Sequence, residues 1–123
     1  MSKNKEAGLD YKDKVVDTSL IFEATEYMGD IDFNYAVVKG RVQFVDCVFK
    51  GDVIFGYKED KYCCFIEQDI EFLNCQFTQN LYLDGIKCGG SIMIKGCTFS
   101  DDKCNNLNLR AAKIGTSLLI LTR

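Results

Sequence analysis

An apolar–variable–apolar triplet recurs through most of this chain, at intervals that alternate between five and six residues. Between positions 70 and 99 it reads Ile70-Glu71-Phe72, Cys75-Gln76-Phe77, Leu81-Tyr82-Leu83, Ile86-Lys87-Cys88, Ile92-Met93-Ile94 and Cys97-Thr98-Phe99. Two apolar side chains flanking one outward residue is the two-residue period of a β-strand. A strand-sized unit this short cannot bury its apolar face alone. Repeated at a fixed interval, it closes a core only by winding into stacked turns, which is the pattern of a solenoid.

The same alternation runs upstream through Leu20/Phe22, Thr25/Tyr27, Ile31/Phe33, Ala36/Val38, Val42/Phe44, Cys47/Phe49 and Val53/Phe55. It resumes downstream at Leu107/Leu109, Ala112/Ile114 and Leu118/Ile120. Two interruptions reconcile all of these with one rule. Six extra residues are expected as a charged loop near 56–61, and four more within 100–106. Four triplets then make a turn of roughly 22 residues, so the expected fold is all-β, a four-sided β-helix of about four and a half coils. The first face stacks Leu20/Phe22, Val42/Phe44, Ile70/Phe72, Ile92/Ile94 and Leu118/Ile120. The second carries Thr25/Tyr27, Cys47/Phe49, Cys75/Phe77 and Cys97/Phe99. Ile31/Phe33, Val53/Phe55, Leu81/Leu83 and Leu107/Leu109 form the third; Ala36/Val38, Cys64/Ile66, Ile86/Cys88 and Ala112/Ile114 form the fourth.

Residues 1–19 lack the triplet. They read as an N-terminal tail and capping segment, with Leu9–Thr18 a short helix or strand over the end of residues 20–123, the solenoid itself. Gly29-Asp30, Gly51-Asp52, Gly89-Gly90-Ser91 and Gly115-Thr116-Ser117 precede strands at the six-residue steps. There glycine is expected to supply positive φ, and Asp or Ser to bond nearby backbone.

The formal charge of −3 argues against a general nucleic-acid binder, which carries a basic patch. The absence of histidine removes the commonest general base and the commonest metal ligand. Seven cysteines, an odd number, follow a polar start, Met1–Gly8, that has no apolar segment of a signal peptide. The expectation is reduced thiols in a cytoplasmic protein. No apolar run reaches the length of a membrane span.

With these residues in view, the chain resembles the pentapeptide-repeat proteins over about Leu20–Ile120. Phe44-Val-Asp-Cys-Val-Phe49-Lys-Gly-Asp-Val-Ile-Phe55 is similar to a Phe-rich, five-plus-six variant of their repeat. Leu107-Asn-Leu-Arg-Ala-Ala-Lys-Ile-Gly-Thr-Ser-Leu-Leu-Ile120 is similar to a Leu-rich one. The resemblance implies a right-handed quadrilateral β-helix and no cofactor. It also implies two things about partners: pairing of two copies through the C-terminal coil, and, for members that resemble duplex DNA in shape and charge, modulation of a type II topoisomerase. Strict members step by five throughout, whereas alternate steps here are six.

Candidate sites follow from the outward positions. On the first face Ile21, Val45, Leu73, Met93, Leu119 and Leu121, interleaved with Gln43 and Glu71, are expected as an apolar stripe for a protein partner or a second copy. Glu26, Asp30, Asp52, Asp101 and Asp102 gather near one corner, as a DNA-like acidic edge or, less simply, as carboxylates of a carbohydrate-active β-helix. Lys39, Arg41, Lys87 and Lys113 place positive charge on the fourth face, and Tyr35, Tyr57 and Tyr82 lie on the outside of the third. Cys47, Cys75 and Cys97 fall in one wall column, with Cys64 and Cys88 on another face. They occupy small-residue slots and lack the spacing of a zinc site; Cys63 and Cys104, near the loops, are expected to be the exposed thiols. The reading is a non-enzymatic solenoid that binds protein or itself, with no catalytic residue, metal or direct nucleic-acid contact assigned.

Overall fold

A computed structural model describes residues 4–56, 64–100 and 107–121 of the chain. In order, the strands are Asn4–Glu6 (β1), Leu9–Asp10 (β2), Val15–Val16 (β3), Leu20–Glu23 (β4), Thr25–Tyr27 (β5), Ile31–Asp32 (β6), Val37–Val38 (β7), Val42–Val45 (β8), Val48–Phe49 (β9) and Val53–Gly56 (β10). There follow Cys64–Ile66 (β11), Ile70–Leu73 (β12), Gln76–Phe77 (β13), Leu81–Leu83 (β14), Ile86–Cys88 (β15), Ile92–Lys95 (β16), Thr98–Phe99 (β17), Leu107–Asn108 (β18), Lys113–Ile114 (β19) and Leu118–Leu121 (β20). No helix lies among the described residues, and none is long and apolar enough to cross a membrane.

Every fourth strand joins the same sheet, giving four parallel five-stranded sheets and a β-solenoid of about five turns. The first face is β4-β8-β12-β16-β20, the second β1-β5-β9-β13-β17, the third β2-β6-β10-β14-β18 and the fourth β3-β7-β11-β15-β19. The expected register holds. Ile70 pairs with Ile92, a turn of 22 residues later, whereas Val42 pairs with Ile70 and Ile92 with Leu118 across the two expected interruptions. Most of the residues assigned to those interruptions, 57–61 and 101–106, lie outside the described residues.

The segment expected as a cap is itself a turn of the solenoid. Asn4–Glu6 pairs with Thr25–Tyr27, Leu9 with Ile31, and Val15–Val16 with Val37–Val38. Two features hide it. Its inward positions on the second face are polar, because an end turn has a neighbour on one side only. One corner is also a residue short: Asn4 and Thr25 are 21 apart, where Leu9 and Ile31 are 22. It still does the work of a cap, since Tyr11 stacks on Phe33 at 4.9 Å.

Inside, the apolar triplets build three aromatic columns. Phe22, Phe44 and Phe72 stack face to face at 4.8 and 5.4 Å. Tyr27, Phe49, Phe77 and Phe99 follow at 5.9, 5.0 and 4.7 Å, and Phe33 on Phe55 at 4.6 Å. The columns touch edge to face, as Phe44 does Phe49 at 5.2 Å. Inward residues of the middle turns are essentially fully buried. Each such Phe, Leu or Ile contributes roughly 1.5–3 kcal/mol before chain entropy is subtracted.

The corners are of two kinds. The five-residue steps turn on one residue in the left-handed region. Ala24, Asp46, Asn74 and Gly96 lead from the first face to the second (φ 50°, 57°, 55°, 65°); Asp13, Tyr35, Gly85 and Ala111 lead from the third to the fourth (62°, 61°, 67°, 58°). The six-residue steps use an extra residue instead, so the role expected for their glycines is corrected. Gly29, Gly51, Gly89 and Gly115 do not have positive φ. They are glycine because the turn beneath is too close: a Cβ on Gly89 would run into the carbonyl oxygen of Glu67. Of the polar residues expected to bond backbone there, Asp30 and Asp52 do so, to the next turn, and Ser19 and Asp69 play the same part at other six-residue corners. The amide of Asp52 donates to Asp30 Oδ1 (2.8 Å), that of Asn80 to Asp52 Oδ1 (3.1 Å), that of Arg41 to Ser19 Oγ (3.0 Å) and that of Ser91 to Asp69 Oδ1 (2.8 Å).

Two predictions follow from this geometry. Phe77→Asp, which puts an unpaired charge on the axis, abolishes the cooperative thermal transition, while outward Gln76→Asp shifts stability by no more than about 0.5 kcal/mol; equal damage from both contradicts the register. Ala24→Gly removes a left-handed alanine and stabilises by about 1 kcal/mol in chemical denaturation, whereas Gly89→Ala destabilises by at least as much. The opposite pair of signs contradicts the two corner types.

Candidate functional site

The expected apolar stripe resolves into two columns, because each first-face strand is four residues long and shows two outward side chains. One column runs Ile21, Gln43, Glu71, Met93, Leu119; the other runs Glu23, Val45, Leu73, Lys95, Leu121. Gln43 Nε2 donates to Glu71 Oε1 at 2.7 Å, and Arg41 Nη1 lies 3.9 Å from the same oxygen. These polar groups separate Ile21 from Met93, and Lys95 separates Leu73 from Leu121. The six candidates therefore fall in two adjacent columns, each interrupted by polar residues. Met93, Leu119 and Leu121 gather at the C-terminal end, where all of β20 is exposed.

That end is the largest departure from an otherwise closed core. Leu118 and Ile120 occupy the axis-facing positions that are essentially fully buried in β8, β12 and β16, yet they are 38% and 52% exposed. Leu119 and Leu121 on the outer side are exposed as well. Among the described residues no strand pairs with the far side of β20, so a row of backbone donors and acceptors accompanies four apolar side chains.

Three of the five acidic candidates, Glu26, Asp30 and Asp52, lie among the described residues. Asp30 and Asp52 stack at one corner, but each spends an oxygen on an amide of the next turn. Glu26 lies on the second face with Lys50 Nζ 3.8 Å away, and its column continues as Val48, Gln76 and Thr98. Asp101 and Asp102 lie outside the described residues, as do Tyr57, Cys63 and Cys104. Arg41 belongs to the corner that enters the first face, through its contact with Glu71, rather than to the fourth face where it was expected.

The second-face cysteines form the expected wall column and have a structural task. Each sulfur lies near the carbonyl two residues back and a first-face phenylalanine carbonyl of the preceding turn. Cys47 is 3.5 Å from Val45 O and 3.8 Å from Phe22 O; Cys75 is 3.4 Å from both Leu73 O and Phe44 O; Cys97 is 3.6 Å from Lys95 O and 3.2 Å from Phe72 O. Thr25, in the same column, donates to Glu23 O at 2.8 Å. Val45 O, Leu73 O and Lys95 O already accept the amides of Ala24, Asp46 and Asn74, so the thiol is a small side chain that fills the slot and adds a weak further contact to them. Contact with the sulfurs of Cys47 and Cys97, together with burial, pushes the Cys75 thiol up. Cys97 accepts from Cys75 and its pKa is lowered to about 7. Burial pushes Cys88 up. Among the described residues no group of three or more Cys, Asp or Glu is placed to hold a metal ion.

Sequence reasoning noted the basic residues of the fourth face but passed over the apolar ones beside them. Its outward column reads Val15, Val37, Phe65, Lys87, Lys113. A hollow of about 340 Å³ opens over Val37 and Phe65, between Lys39, Glu67 and Lys87. A second, of about 270 Å³, adjoins it beside Lys87, Lys113, Gly89 and Gly115. The signal was present: Val37 and Phe65 are apolar at outward positions of their triplets.

No family model, no curated protein and no solved structure matches this chain.

The thiol column yields a chemical prediction. A thiol reacts with an alkylating agent as its thiolate, so a lowered pKa raises the reactive fraction at neutral pH. With iodoacetamide and the folded protein, Cys97 is labelled first among Cys47, Cys64, Cys75, Cys88 and Cys97, its rate rising through a midpoint near about 7. Peptide mapping that finds Cys75 labelled as fast as Cys97 contradicts the assignment.

Proposed function

We propose that this protein is a non-enzymatic, pentapeptide-repeat-like β-solenoid that works by binding, and that its C-terminal turn joins it to a second copy of itself. The exposure of β20 carries the reading: Leu118 and Ile120 stand open where their counterparts in β16 are essentially fully buried. An apolar edge strand with unpaired backbone groups either finds a partner or aggregates. Contrast with the other end favours a head-to-head arrangement. Residues 4–19 carry seven charged side chains, Lys5, Glu6, Asp10, Lys12, Asp13, Lys14 and Asp17; residues 107–121 carry two, Arg110 and Lys113. Charge along an edge disfavours strand pairing, so the first turn resists stacking onto the last. Two C-terminal edges related by a two-fold axis pair antiparallel and cover one another's Leu118 and Ile120, with Met93, Leu119 and Leu121 at the margin. Cys47, Cys64, Cys75, Cys88 and Cys97 are reduced rather than in disulfides, which suits a reducing compartment and fits a cytoplasmic protein.

The test is sedimentation velocity over a wide concentration range. The reading expects twice the 13.9 kDa chain mass at high concentration. The double substitution Leu119→Glu, Leu121→Glu, which leaves the axis-facing residues alone, shifts the population to monomer while the β-type circular dichroism persists. A single-chain mass at every concentration contradicts the reading, as does a dimer unaffected by that variant.

A further inference from the structure

The second-face thiol column offers chemistry that self-association through β20 does not use. Gln76 pairs with Thr98 and Phe77 with Phe99, so Cys75 and Cys97, one residue before each pair, stand in register on adjacent turns. Parallel neighbours lie about 4.8 Å apart, inside the range of roughly 4.4–6.8 Å over which a disulfide bridges Cα atoms. The side chains also converge. Cys97 Sγ lies 3.2 Å from Phe72 O, a carbonyl of the turn that carries Cys75, and accepts from the Cys75 thiol. The fourth-face cysteines are placed differently: Cys64 stands opposite Ile86, and Cys88 opposite Ile66.

Access divides the column. Cys47 and Cys75 are buried, whereas Cys97 is half-buried beside exposed Lys95 and Thr98. A reagent from solvent therefore meets Cys97 first and finds Cys75 directly behind it. The hydrogen bond from Cys75 also lowers the pKa of Cys97 to about 7, so a large fraction is thiolate at neutral pH. Contact with Cys47 and Cys97, together with burial, keeps Cys75 protonated. An accessible thiolate backed by a second thiol is the arrangement of a redox-sensing pair, in which one sulfur attacks the oxidant and the other resolves the product.

We propose that Cys97 and Cys75 are a peroxide-sensitive pair that a hydroperoxide oxidises to a disulfide between adjacent turns. The Cys97 thiolate attacks the terminal peroxide oxygen. An S–O bond forms, the O–O bond breaks, and the other oxygen leaves as hydroxide or alkoxide. The sulfur loses two electrons, which reduce the peroxide, and becomes a sulfenic acid. Cys75 then attacks the sulfenic sulfur: the S–S bond forms, the S–O bond breaks, and the thiol proton leaves with the hydroxyl as water. An external dithiol restores both thiols by exchange and takes the disulfide itself. The bridge ties the corner before β17 to the corner before β13. Half-exposed at Cys97, it falls among the readily reduced disulfides, which suits a reversible modification.

The test treats the folded chain with a small molar excess of hydrogen peroxide, blocks the remaining thiols with N-ethylmaleimide, and maps unreduced peptides by tandem mass spectrometry. An intrachain Cys75–Cys97 link is expected, lost on addition of dithiothreitol. In Cys75→Ala, Cys97 is expected to stop at the sulfenic acid and be trapped by dimedone, at least about tenfold more than in the wild-type chain. In Cys97→Ala, oxidation of Cys75 falls by at least about tenfold. Circular dichroism checks that both variants keep their β-structure; should either unfold, the wild-type map decides. A folded wild-type chain without the Cys75–Cys97 link overturns the proposal. So does a disulfide that joins two copies through Cys97, or a Cys75 that oxidises equally fast without Cys97. The β20 double variant is expected to form the same link, so this result and the dimer result stand or fall separately.

Discussion

Superposition of like residues at the inter-strand spacing is the constraint from which the rest of the molecule follows. Each turn must set its inward side chains directly on those of the turn below, on four faces at once, or the parallel ladders cannot form. Phenylalanine meets this condition well because flat rings stack at nearly that spacing: Phe44 and Phe72 are 3° from parallel, and Phe77 and Phe99 are 6°. The same requirement sets the corners. Where the turns approach closely, as at Gly89, no Cβ fits, and where an amide would otherwise lack an acceptor, Asp30, Asp52 or Asp69 on the preceding turn supplies one.

A molecule built this way has its surface determined by columns. Any outward position is repeated on the next turn, so a single substitution interrupts a stripe and a matched pair extends it. The polar link from Gln43 to Glu71 splits the first face in this manner. On the fourth face the column is apolar for three turns and basic for two. The ends of the stack are different again, because there the axis itself meets solvent. Residues 4–19 at one end carry seven charged side chains, and β20 at the other exposes four apolar ones.

Much of this was legible from residue order alone. The inward pairs from Leu20 to Ile120 announced themselves through strict alternation, and the four-face assignment follows once two interruptions are allowed. What escaped notice did so for physical reasons. The first turn is masked by polar inward residues such as Asn4 and Glu6, tolerable at an open end, and by one missing corner residue. The left-handed corners are occupied by alanine, aspartate, asparagine and tyrosine as well as glycine, so composition did not betray them, while the conspicuous glycines serve close approach instead. The stripe on the first face was drawn as one line because the triplet shows one outward residue, whereas each strand there extends a residue further and shows two. The hollow over Val37 and Phe65 went unseen because its members come from turns 28 residues apart, and neither is unusual in its own triplet.

Through-space proton contacts between turns test the stacked register most directly. A three-dimensional ¹⁵N-edited NOE spectrum of the intact chain should connect the backbone of Gln76 with that of Thr98, and Gln43 with Glu71, as parallel partners one turn apart. Those cross-peaks are the result the account predicts. A spectrum with sequential helical contacts through Ile70–Phe99, or with partners displaced by a single residue, contradicts it and removes the columns on which every surface argument rests.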